Sequence, residues 1–383
     1  MVTLGLIFTR GVSLAIWVRS GMFDREVALY RRHLSSGTFG KIIWFTYGVE
    51  DELLAISLRK EGKLPAGLVV IGPPRWFKYL RRSASVCYSL LLPLMRIKAL
   101  IICDVIKTNQ MDGSAAVVIA AKILCKPLYV RTGYTLSRIV SSVHPRSSIR
   151  NVSARITEYL AFRYADRTSV SSRFDFNYVL SRYRSISRPP EIIGNFVDTE
   201  RFAPEATHQV NRLIYVGRLS PEKNLKSIIA ACAEAGVGLD IIGQGEQEQE
   251  LRDTAENCDA DVGWLGVVDN DALPAVLCRY QYFVLASLWE GMPKALLEAM
   301  SVGLVCIGTD TTGINELIKD GVTGYLAPSA SQHDIAETIR RALAGDPERV
   351  ASAAMRFVRS TFSLETIVAK EHAVFAAICP KIG

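Results

Sequence analysis

The sequence predicts two α/β domains, each built on a doubly wound parallel sheet. At 383 residues the chain is too long for one ordinary hydrophobic core, and it suits two domains of roughly 150–200 residues. Apolar residues make up 49% of the chain and charged residues 22%, as in globular proteins. Short apolar runs that end at Gly or at polar residues alternate with segments of helical period, which is typical of parallel strands joined by helices.

In the first half, apolar runs predict strands at residues 4–9, 42–47, 68–71, 100–106, 127–131 and 168–171, with helices that include 24–34 and 114–124. The segment 195–204 has turn chemistry and marks a domain boundary. The predicted domains are therefore residues 1–198 and 199–362. The remaining segment, 363–383, contains an amphipathic helix that is a candidate to cross back to the first domain.

The second half shows the pattern more clearly. Its predicted strands are residues 213–217, 239–243, 262–266, 282–286, 304–308 and 324–326. After the first of these, Leu225, Ile228 and Cys232 fall at i, i+3 and i+7, and residues 334–344 carry a similar stripe. Ligands of such sheets bind beyond the carboxyl ends of the strands, so the loops at those ends are the candidate site.

The loop after residues 213–217 is basic. Ser220 suits a helix N-cap and Pro221 suits the first helical position, which would hold Arg218 and Lys223 beside a helix N-terminus. Arg offers a planar fork of donors and Lys a point charge, and both suit a diphosphate. Surface cations near a helix start are the plainer interpretation, and this loop alone does not decide between the two.

The segment 282–300 is the most informative part of the chain. An apolar strand is followed by Glu290, Gly291 breaks the strand, and Pro293 suits the first turn of the next helix. Glu298 lies just over one turn into that helix. The helix N-terminal amides between the two carboxylates favour a phosphate or another anionic oxygen.

Other motifs are weak or absent. Gly243 and Gly245 allow a ligand to approach the backbone closely, but a tight turn explains such a pair equally well. The pairs at 259/261 and 269/271 resemble metal-binding Asp-x-Asp, yet turn and helix-cap roles explain them better. The sequence shows no His or Cys spacing typical of a zinc site, no Walker A phosphate-binding loop and no dinucleotide-binding fingerprint. We therefore expect neither a metal nor a cofactor.

Charge is distributed unevenly along the chain. Residues 1–200 carry 29 Lys and Arg against 14 Asp and Glu, a balance of +15, whereas the remainder carries 16 against 24, a balance of −8. A basic half suits nucleic acid, anionic lipid or a phosphorylated acceptor. Because no nucleic-acid motif is present, lipid or pyrophosphate is favoured.

Residues 75–82 interleave aromatic and basic side chains and lead into the apolar run 84–95. This run is too short to span a bilayer, which takes about 20 residues. Two interpretations stay open: peripheral contact with an anionic membrane, or an ordinary helix with a solvated basic face. The N-terminal apolar run lacks the features of a signal peptide, and the eight cysteines suit reduced thiols. We expect a cytoplasmic protein, with the inner face of the cell membrane as a candidate location.

Several motifs together carry a family resemblance. They are Gly217-Arg-Leu-Ser-Pro-Glu-Lys-Asn224, Ile242-Gly-Gln-Gly-Glu246, Leu265-Gly266, Glu290-x7-Glu298, Thr312-Gly-Ile-Asn-Glu316 and Gly321-x-x-Gly324. This set resembles the retaining glycosyltransferases of family 4, specifically over residues 195–330 and more weakly over the whole chain. The resemblance implies the GT-B fold, in which two Rossmann-like domains face each other across a cleft.

The resemblance also implies roles for individual residues. Arg218 and Lys223 would hold the diphosphate of a nucleotide-sugar donor, Glu290 would contact the donor sugar, and these three are the candidate catalytic residues. Glu298 would hydrogen-bond the ribose. The other implied donor-binding residues are Gly11, Gly217, Gly243, Gly245, Leu265, Val267, Gly291, Met292, Pro293 and Lys294.

The chain departs from the family pattern in its first half. The family often places a His near the donor sugar, but this chain reads Lys107-Thr-Asn-Gln110 there. The paired glycines of the first loop are reduced to Gly11, and Gly194 replaces a usual proline. The candidate acceptor residues are Asn109, Gln110, Arg131 and Tyr134, together with Trp17, for which core packing is an equal alternative.

The function implied is retaining, hexosyltransferase-type and metal-independent transfer of a sugar from a nucleotide-diphosphate sugar to a glycan or lipid-linked acceptor. Surface polysaccharide biosynthesis is the expected context, without a nucleic-acid partner. Two alternatives stay open: a GT-B sugar-nucleotide epimerase, and a GT-B protein that binds a glycan or a partner without turnover.

Overall fold

A computed structural model describes residues 1–143, 145, 147–183, 186, 188–205 and 210–382, with the backbone alone at 80–83, 142–143 and 210–211. The chain divides into two units. One comprises Met1–Gly194 together with Val368–Gly383, and the other comprises Asn195–Ile367. The interdomain turn predicted at 195–204 thus lies at the start of the second unit.

The first unit contains a parallel sheet. Its strands are β1 Thr3–Ile7, β2 Lys41–Phe45, β3 Leu68–Ile71, β4 Val105–Thr108, β5 Leu128–Thr132, β6 Arg167–Val170 and β7 Glu191–Ile192. They pair in the order β3-β2-β1-β4-β5-β6-β7. The connecting helices are α1 Leu14–Arg19, α2 Phe23–Ser35, α3 Asp51–Lys60, α4 Ala84–Met95, α5 Ile97–Ile101, α6 Ala115–Ile123, α7 Leu136–Val143, α8 Ile149–Tyr164 and α9 Arg173–Arg182.

Both faces of this sheet are covered, as its alternating side chains require. Ile43 and Phe45 of β2 share a core with Tyr88 of α4 and Val117 of α6. Trp44, between them in the strand, points to the other face, where ring centroids of aromatic residues lie 5.3–5.5 Å from its own; these residues are Phe8, Trp17 and Tyr30. The first unit is therefore doubly wound, as predicted.

One predicted strand is partly wrong. The apolar run 100–106 is not a single strand, because Ile97–Ile101 forms the short helix α5 and pairing begins only at Val105. Leu100 and Cys103 are both fully buried. A short run that is apolar throughout has the same composition in a helix as in a strand, so the period of the sequence could not separate them.

The second unit contains the other parallel sheet. Its strands are β8 Val210–Val216, β9 Leu239–Ile242, β10 Val262–Gly266, β11 Tyr280–Leu285, β12 Val305–Thr309 and β13 Tyr325–Ala327. Their order is β10-β9-β8-β11-β12-β13. The helices are α10 Leu225–Ala235, α11 Glu248–Asn257, α12 Leu273–Leu277, α13 Lys294–Ser301, α14 Gln332–Leu343 and α15 Pro347–Phe362. The winding direction reverses between β8 and β11, which makes their carboxyl ends the switch point where such sheets bind ligands.

The last helix, α16 Leu364–Ala376, is anchored in the first unit by a buried ionic network. Lys107 Nζ donates to Glu371 Oε1 at 2.6 Å, and His33 Nε2 lies 3.1 Å from Glu371 Oε2. All three side chains are at most 1% exposed. Burial raises the pKa of Glu371, but Lys107 and His33 outweigh it and hold the pKa at about 2. Burial lowers the pKa of Lys107.

Over the residues that the structure describes, no helix combines the length and the apolar character that crossing a bilayer requires.

Candidate functional site

The loops after β8 and β11 meet at the switch point of the second sheet. There Lys223 Nζ lies 2.5 Å from Glu290 Oε1, and the two side chains are 15% and 11% exposed. Ser287 Oγ donates to the same carboxylate oxygen at 2.7 Å. An ammonium and a carboxylate are thus held together, partly shielded from water, at the edge where this class of sheet takes its ligand.

The loop that carries Lys223 differs in detail from its prediction. Pro221–Lys223 is a single 3-10 turn rather than the start of a long helix, and α10 begins only at Leu225. Ser220 and Pro221 occupy the predicted N-cap and first positions of this turn, but the Ser220 hydroxyl makes no capping bond and donates to Glu222 Oε1 at 2.8 Å. The turn ends at Asn224, whose left-handed backbone (φ 56°) interrupts the helical path.

Asn224 is a structural residue of the site to which the sequence analysis gave no role. Its side-chain amide donates to the carbonyl oxygens of Ala286 at 3.2 Å and Ala330 at 2.9 Å. Asn is one of the few residues that adopt the left-handed conformation readily. Asn224 therefore ties the turn that presents Lys223 to the end of β11. Its position directly after Lys223 was the feature of the sequence that could have indicated this role.

Arg218 lies in the same loop but is mostly in solvent. Its side chain is 78% exposed, and its guanidinium Nη2 is 3.1 Å from Glu222 Oε1. A hydrogen bond fixes the backbone of Arg218, because Tyr215 Oη donates to its carbonyl oxygen at 2.9 Å. Burial raises the pKa of Tyr215, and the nearby Glu290 and Glu222 carboxylates raise it further. The Arg218 side chain is thus available to a ligand at the loop surface.

Gly243 and Gly245 are required by the packing of neighbouring loops. A Cβ on Gly243 would lie 1.8 Å from the Gly217 carbonyl oxygen, and one on Gly245 would lie 2.2 Å from that of Leu219. Backbone hydrogen bonds join the same loops, from Gly217 N to Ile242 O at 3.0 Å and from Leu219 N to Gln244 O at 3.1 Å. The glycines therefore bring the loop after β9 against the loop that carries Lys223.

Residues 290–298 connect β11 to α13. The Glu290 amide donates to the Thr312 carbonyl at 3.1 Å, which fixes the backbone at Glu290. The Met292 carbonyl accepts from Asn195 Nδ2 at 2.7 Å. The sequence predicted Pro293 in the first turn of the helix. In the structure it is the N-cap residue, and α13 begins at Lys294. Glu298, in the second turn of that helix, is 4% exposed.

Exposed apolar side chains lie at the carboxyl ends of two strands. Leu265 and Val267, predicted to line the nucleobase, are 43% and 64% exposed at the end of β10. Leu288 and Trp289, between Ser287 and Glu290, are 50% and 42% exposed. The sequence analysis gave Leu288 and Trp289 no role, although two large apolar residues in a loop before Glu290 were a visible signal. They offer an apolar surface beside the ion pair.

The predicted residues of the first unit lie at the carboxyl ends of β1, β4 and β5. Gly11 has a positive φ of 77° in the loop after β1. Its neighbour Arg10 forms an ion pair with Asp112 at 2.8 Å. The Asn109 amide donates to the Ile7 carbonyl at 2.8 Å, and Gln110 Oε1 accepts from the Gly133 amide at 2.6 Å. The side-chain amide of Gln110 is thus used to hold a neighbouring loop.

Three further acceptor candidates have different environments. Arg131 is half-buried on β5. Tyr134 is also half-buried, and burial raises its pKa, with Asp112 adding to the rise. Trp17 is 3% exposed and lies 4.2 Å from Phe8, centroid to centroid. Of the two roles that the sequence left open for Trp17, core packing is therefore the one that its surroundings support.

The two Asp-x-Asp segments have arginine partners. Asp261 pairs with Arg212, and Asp271 Oδ1 lies 2.7 Å from Arg201 Nη2. Within the described ranges, no group of three or more His, Cys, Asp or Glu side chains has an arrangement suited to holding a metal ion. His144 and His208 lie outside the described residues.

Comparisons with known proteins agree with this geometry. Residues 196–355 match the family model described as "Glycosyl transferases group 1". The amylovoran biosynthesis glycosyltransferase AmsK of Erwinia amylovora is 33% identical over 159 residues, 38% of this chain and 39% of that protein. The UDP-Gal:α-D-GlcNAc-diphosphoundecaprenol α-1,3-galactosyltransferase of Escherichia coli is 36% identical over 163 residues, which cover 35% of this chain and 40% of that protein. The matches thus span about two fifths of these relatives.

Solved structures extend the likeness to the whole chain. HepE of Anabaena, in complex with UDP and glucose, superposes with a TM-score of 0.74 at 18% identity, covering 98% of this chain and 100% of that one. The chain has the GT-B fold. The lipopolysaccharide outer core galactosyltransferase WaaB, with a TM-score of 0.69 at 18% identity and 98% and 99% coverage, supports the same assignment. The match to a group 1 model lies in the GT-B unit that carries Lys223 and Glu290.

Proposed function

We propose that this protein is a glycosyltransferase that moves a sugar from a nucleotide-diphosphate sugar to a glycan or lipid-linked acceptor. The observation that carries the proposal is the pairing of Lys223 with Glu290 at the switch point of the second sheet. The family model over residues 196–355 supports it. Relatives named for amylovoran and undecaprenol-linked glycan synthesis favour surface polysaccharide biosynthesis as the context.

In the proposed reaction, the bond from the anomeric carbon to the diphosphate oxygen breaks, and a bond to an acceptor hydroxyl oxygen forms. The nucleoside diphosphate is released with the bonding electrons, and the hydroxyl proton passes to its departing oxygen or to solvent. Lys223 places positive charge where the departing diphosphate gains negative charge. Arg218, exposed in the same loop, adds a planar fork of donors once a diphosphate is present.

Glu290 has two tasks in this proposal. Before the donor binds, its carboxylate neutralises Lys223 and fixes the ammonium in place. When a diphosphate arrives, Lys223 has three N–H donors to share between it and Glu290, so the carboxylate can turn one oxygen to the sugar hydroxyls. Ser287, which donates to Glu290 Oε1 at 2.7 Å, positions the carboxylate for this exchange.

The finer features of the proposal rest on the resemblance to family 4. They are retention at the anomeric carbon, hexosyl transfer, ribose binding by the buried Glu298, base contact by Leu265 and Val267, and contacts from the backbone of residues 291–294. Metal independence is part of the proposal, because Lys223 and Arg218 supply the positive charge that a divalent ion would supply elsewhere. The roles of Gly11, Asn109, Gln110, Arg131 and Tyr134 toward the donor sugar and acceptor are proposals of the same kind.

A cytoplasmic location at the inner face of the membrane also belongs to the proposal, because undecaprenol-linked acceptors such as that named for one relative reside in membranes. Two other functions are distinguishable from transfer. An epimerase would convert one sugar nucleotide into another without releasing its nucleotide to an acceptor, and a binding protein would show affinity without turnover.

A panel of nucleotide sugars tests the proposal. Donors that raise the thermal midpoint are incubated with the protein, and free nucleoside diphosphate is measured with and without lipid extracts that contain polyprenol-linked glycans. We expect release that acceptor-containing extract accelerates, and a glycosylated lipid product by mass spectrometry. Interconversion of sugar nucleotides without release would identify an epimerase, and a midpoint shift without any turnover would identify a binding protein.

A further inference from the structure

The helix α8 exposes a row of apolar side chains. Its buried face mixes apolar residues such as Phe162 with the polar Asn151 and Glu158. Its outer face carries Ile149, Val152, Ile156 and Tyr159, at i, i+3, i+7 and i+10, and they are 46–88% exposed. A helix that only covers a sheet presents mostly polar residues to water. The outer face of α8 is therefore more apolar than expected of a surface in contact with water alone.

The neighbouring helices repeat this feature. In α4, Leu90 is 62% exposed and Leu94 70%, and in α6 Ile123 is 76% exposed. Helix α4 packs against α6, and α6 packs against α8, so their outer sides are contiguous. We call this surface the apolar face; its members are Val86, Leu90, Leu91, Leu94, Ile97, Ile101, Ile102, Ile119, Ile123, Ile149, Val152, Ile156 and Tyr159. Single exposed apolar residues are ordinary, but contiguous sets of this size mark an interaction surface.

The charge around the apolar face has one sign. Residues 75–102, 115–127 and 149–164, which contain its helices, include 11 Lys and Arg and one acidic residue, Glu158. Glu158 is fully buried, where Ser137 N and Tyr183 Oη donate to it. The segments that carry the face therefore present no carboxylate to solvent. A basic and apolar combination of this kind complements a surface that is both apolar and anionic.

A cavity adjoins the apolar face at the amino-terminal edge of the first sheet. It has a volume of about 740 Å³ and is lined by four cations, namely Lys122, Lys126, Arg163 and Arg188, and by the single carboxylate of Asp166. Lys126 also donates to the carbonyl of Ile101, at 2.5 Å, which places this basic group directly beside the end of α5. Basic groups and apolar side chains thus meet at one edge.

We propose that the apolar face docks on an anionic lipid bilayer, with its apolar side chains in the acyl–headgroup boundary and a lipid phosphate in the basic cavity. A second copy of this chain fits the surface less well, because a two-fold contact would set one basic surface against another. The proposal goes beyond the contact at residues 75–95 expected from the sequence, since α6 and α8 supply part of the surface. It does not rest on the proposed glycosyl transfer.

Vesicle flotation tests the proposal with the full-length protein. We expect flotation with phosphatidylglycerol vesicles at low salt, weaker flotation at high salt because the charges are screened, and little with phosphatidylcholine vesicles. The triple variant Leu90→Ser, Ile123→Ser, Ile156→Ser removes one exposed apolar side chain from each helix. We expect its affinity for anionic vesicles to fall about tenfold or more, which corresponds to about 1.4 kcal/mol.

The matched control lies on the other side of the sheet. Leu53 and Ile56 on α3 are 56% and 50% exposed, so Leu53→Ser, Ile56→Ser removes two exposed apolar side chains away from the face. We expect this variant to float as the wild type does. The charge variant Lys122→Glu, Lys126→Glu is expected to lose anionic-vesicle binding, whereas Lys226→Glu, Glu250→Lys, which reverses an exposed ion pair in the second unit, is not.

The proposal would be overturned if the wild type did not float with anionic vesicles at low salt, or if the triple variant and the α3 control lost vesicle binding equally. It would also be overturned if light scattering showed a dimer that the triple variant abolished while vesicle binding was unchanged. Thermal midpoints near that of the wild type establish that each variant is folded. Because flotation needs no donor and no turnover, its failure leaves the proposed glycosyl transfer untouched, and the failure of transfer leaves the docking surface untouched.

Discussion

Lys223 and Glu290 are 67 positions apart in the chain, and their charged atoms lie 2.5 Å apart between the carboxyl ends of two adjacent parallel strands. The pair is largely shielded from water, and Ser287 supports its carboxylate. A diphosphate that binds Lys223 must therefore compete with Glu290 or share the ammonium with it. Three predictions below follow from this arrangement.

Replacing Lys223 by Ala should reduce donor turnover by about 10²-fold or more, because one preorganised cation at the departing diphosphate is lost. Nucleoside diphosphate release measures the effect. The matched control is Lys226→Ala, three positions further on, whose ammonium pairs with Glu250 in solvent. We expect near wild-type turnover from this control. Equal turnover by folded Lys223→Ala and wild-type proteins would remove Lys223 from the reaction.

Replacing Glu290 by Gln should separate binding from transfer. The amide keeps an oxygen for the Ser287 hydroxyl but no longer neutralises Lys223, so the ammonium is free for a diphosphate. Calorimetry should show nucleoside diphosphate bound at least as tightly as by the wild type, while sugar transfer falls by about 10²-fold. Glu250→Gln, in the exposed pair with Lys226, should change neither quantity. Weaker diphosphate binding in Glu290→Gln would contradict the proposed competition.

Excess EDTA should leave turnover unchanged. The charge at the proposed diphosphate position comes from Lys223 and Arg218, and each Asp-x-Asp segment already pairs with an arginine, Asp261 with Arg212 and Asp271 with Arg201. Rates are compared before chelation, after chelation and after Mg²⁺ or Mn²⁺ is restored. Loss in EDTA with recovery on adding either ion would overturn metal independence and would direct attention to Asp269 and Asp271.

Acid should weaken the anchor of α16. Lys107 and His33 hold the pKa of Glu371 at about 2 in the folded protein, below the value of about 4.3 expected when unfolded. A depressed folded pKa gives stability that is present above the unfolded value and is lost as pH falls through the window from about 4.3 to about 2. Glu371→Gln should cost about 3–5 kcal/mol near neutral pH, because it leaves the buried Lys107 cation without its counter-ion.

The difference in thermal midpoint between wild type and Glu371→Gln should therefore narrow as pH is lowered through that window. Glu337→Gln provides the control, because its ion pair with Arg340 is exposed and contributes about 1 kcal/mol or less. If the difference in thermal midpoint between wild type and Glu371→Gln stays constant from neutral to acid pH, the charge of Glu371 does not stabilise the fold.

Gly243→Ala and Gly245→Ala should destabilise the ligand-free protein, because each new Cβ would collide with a backbone oxygen of the neighbouring loop. Gly62→Ala is the comparison, since its φ of 72° is strained for Ala but open space surrounds it, and we expect a cost of about 1 kcal/mol there. Thermal midpoints measured without ligand decide the matter. If Gly243→Ala and Gly245→Ala match wild-type stability and only donor binding falls, the glycines serve the ligand rather than the packing.

Much of the fold was visible in the sequence. Short apolar runs bounded by Gly located β9, β10 and β12 to within about a residue. Every residue of β9 and β12 is buried, and a parallel strand covered on both faces is mostly apolar. The hydrophobic pattern failed at residues 100–106, where a short apolar helix and a strand share one composition. Ser220 and Pro221 do begin a helical turn after β8, as predicted, but the sequence did not show that this turn ends at once, because that depends on the left-handed backbone of Asn224.

The sequence by itself determined the residue types of the candidate site: two cations after one strand, a carboxylate after another, and glycines between them. It could not determine which of these groups touch. Only the strand order, with β11 beside β8, brought Glu290 to Lys223 and left Arg218 in solvent. Packing likewise decided the contact between Lys107 and Glu371, which are 264 positions apart. It also brought together the outer sides of α4, α6 and α8. Local propensity acts over a few residues, whereas these contacts depend on how distant segments share one sheet.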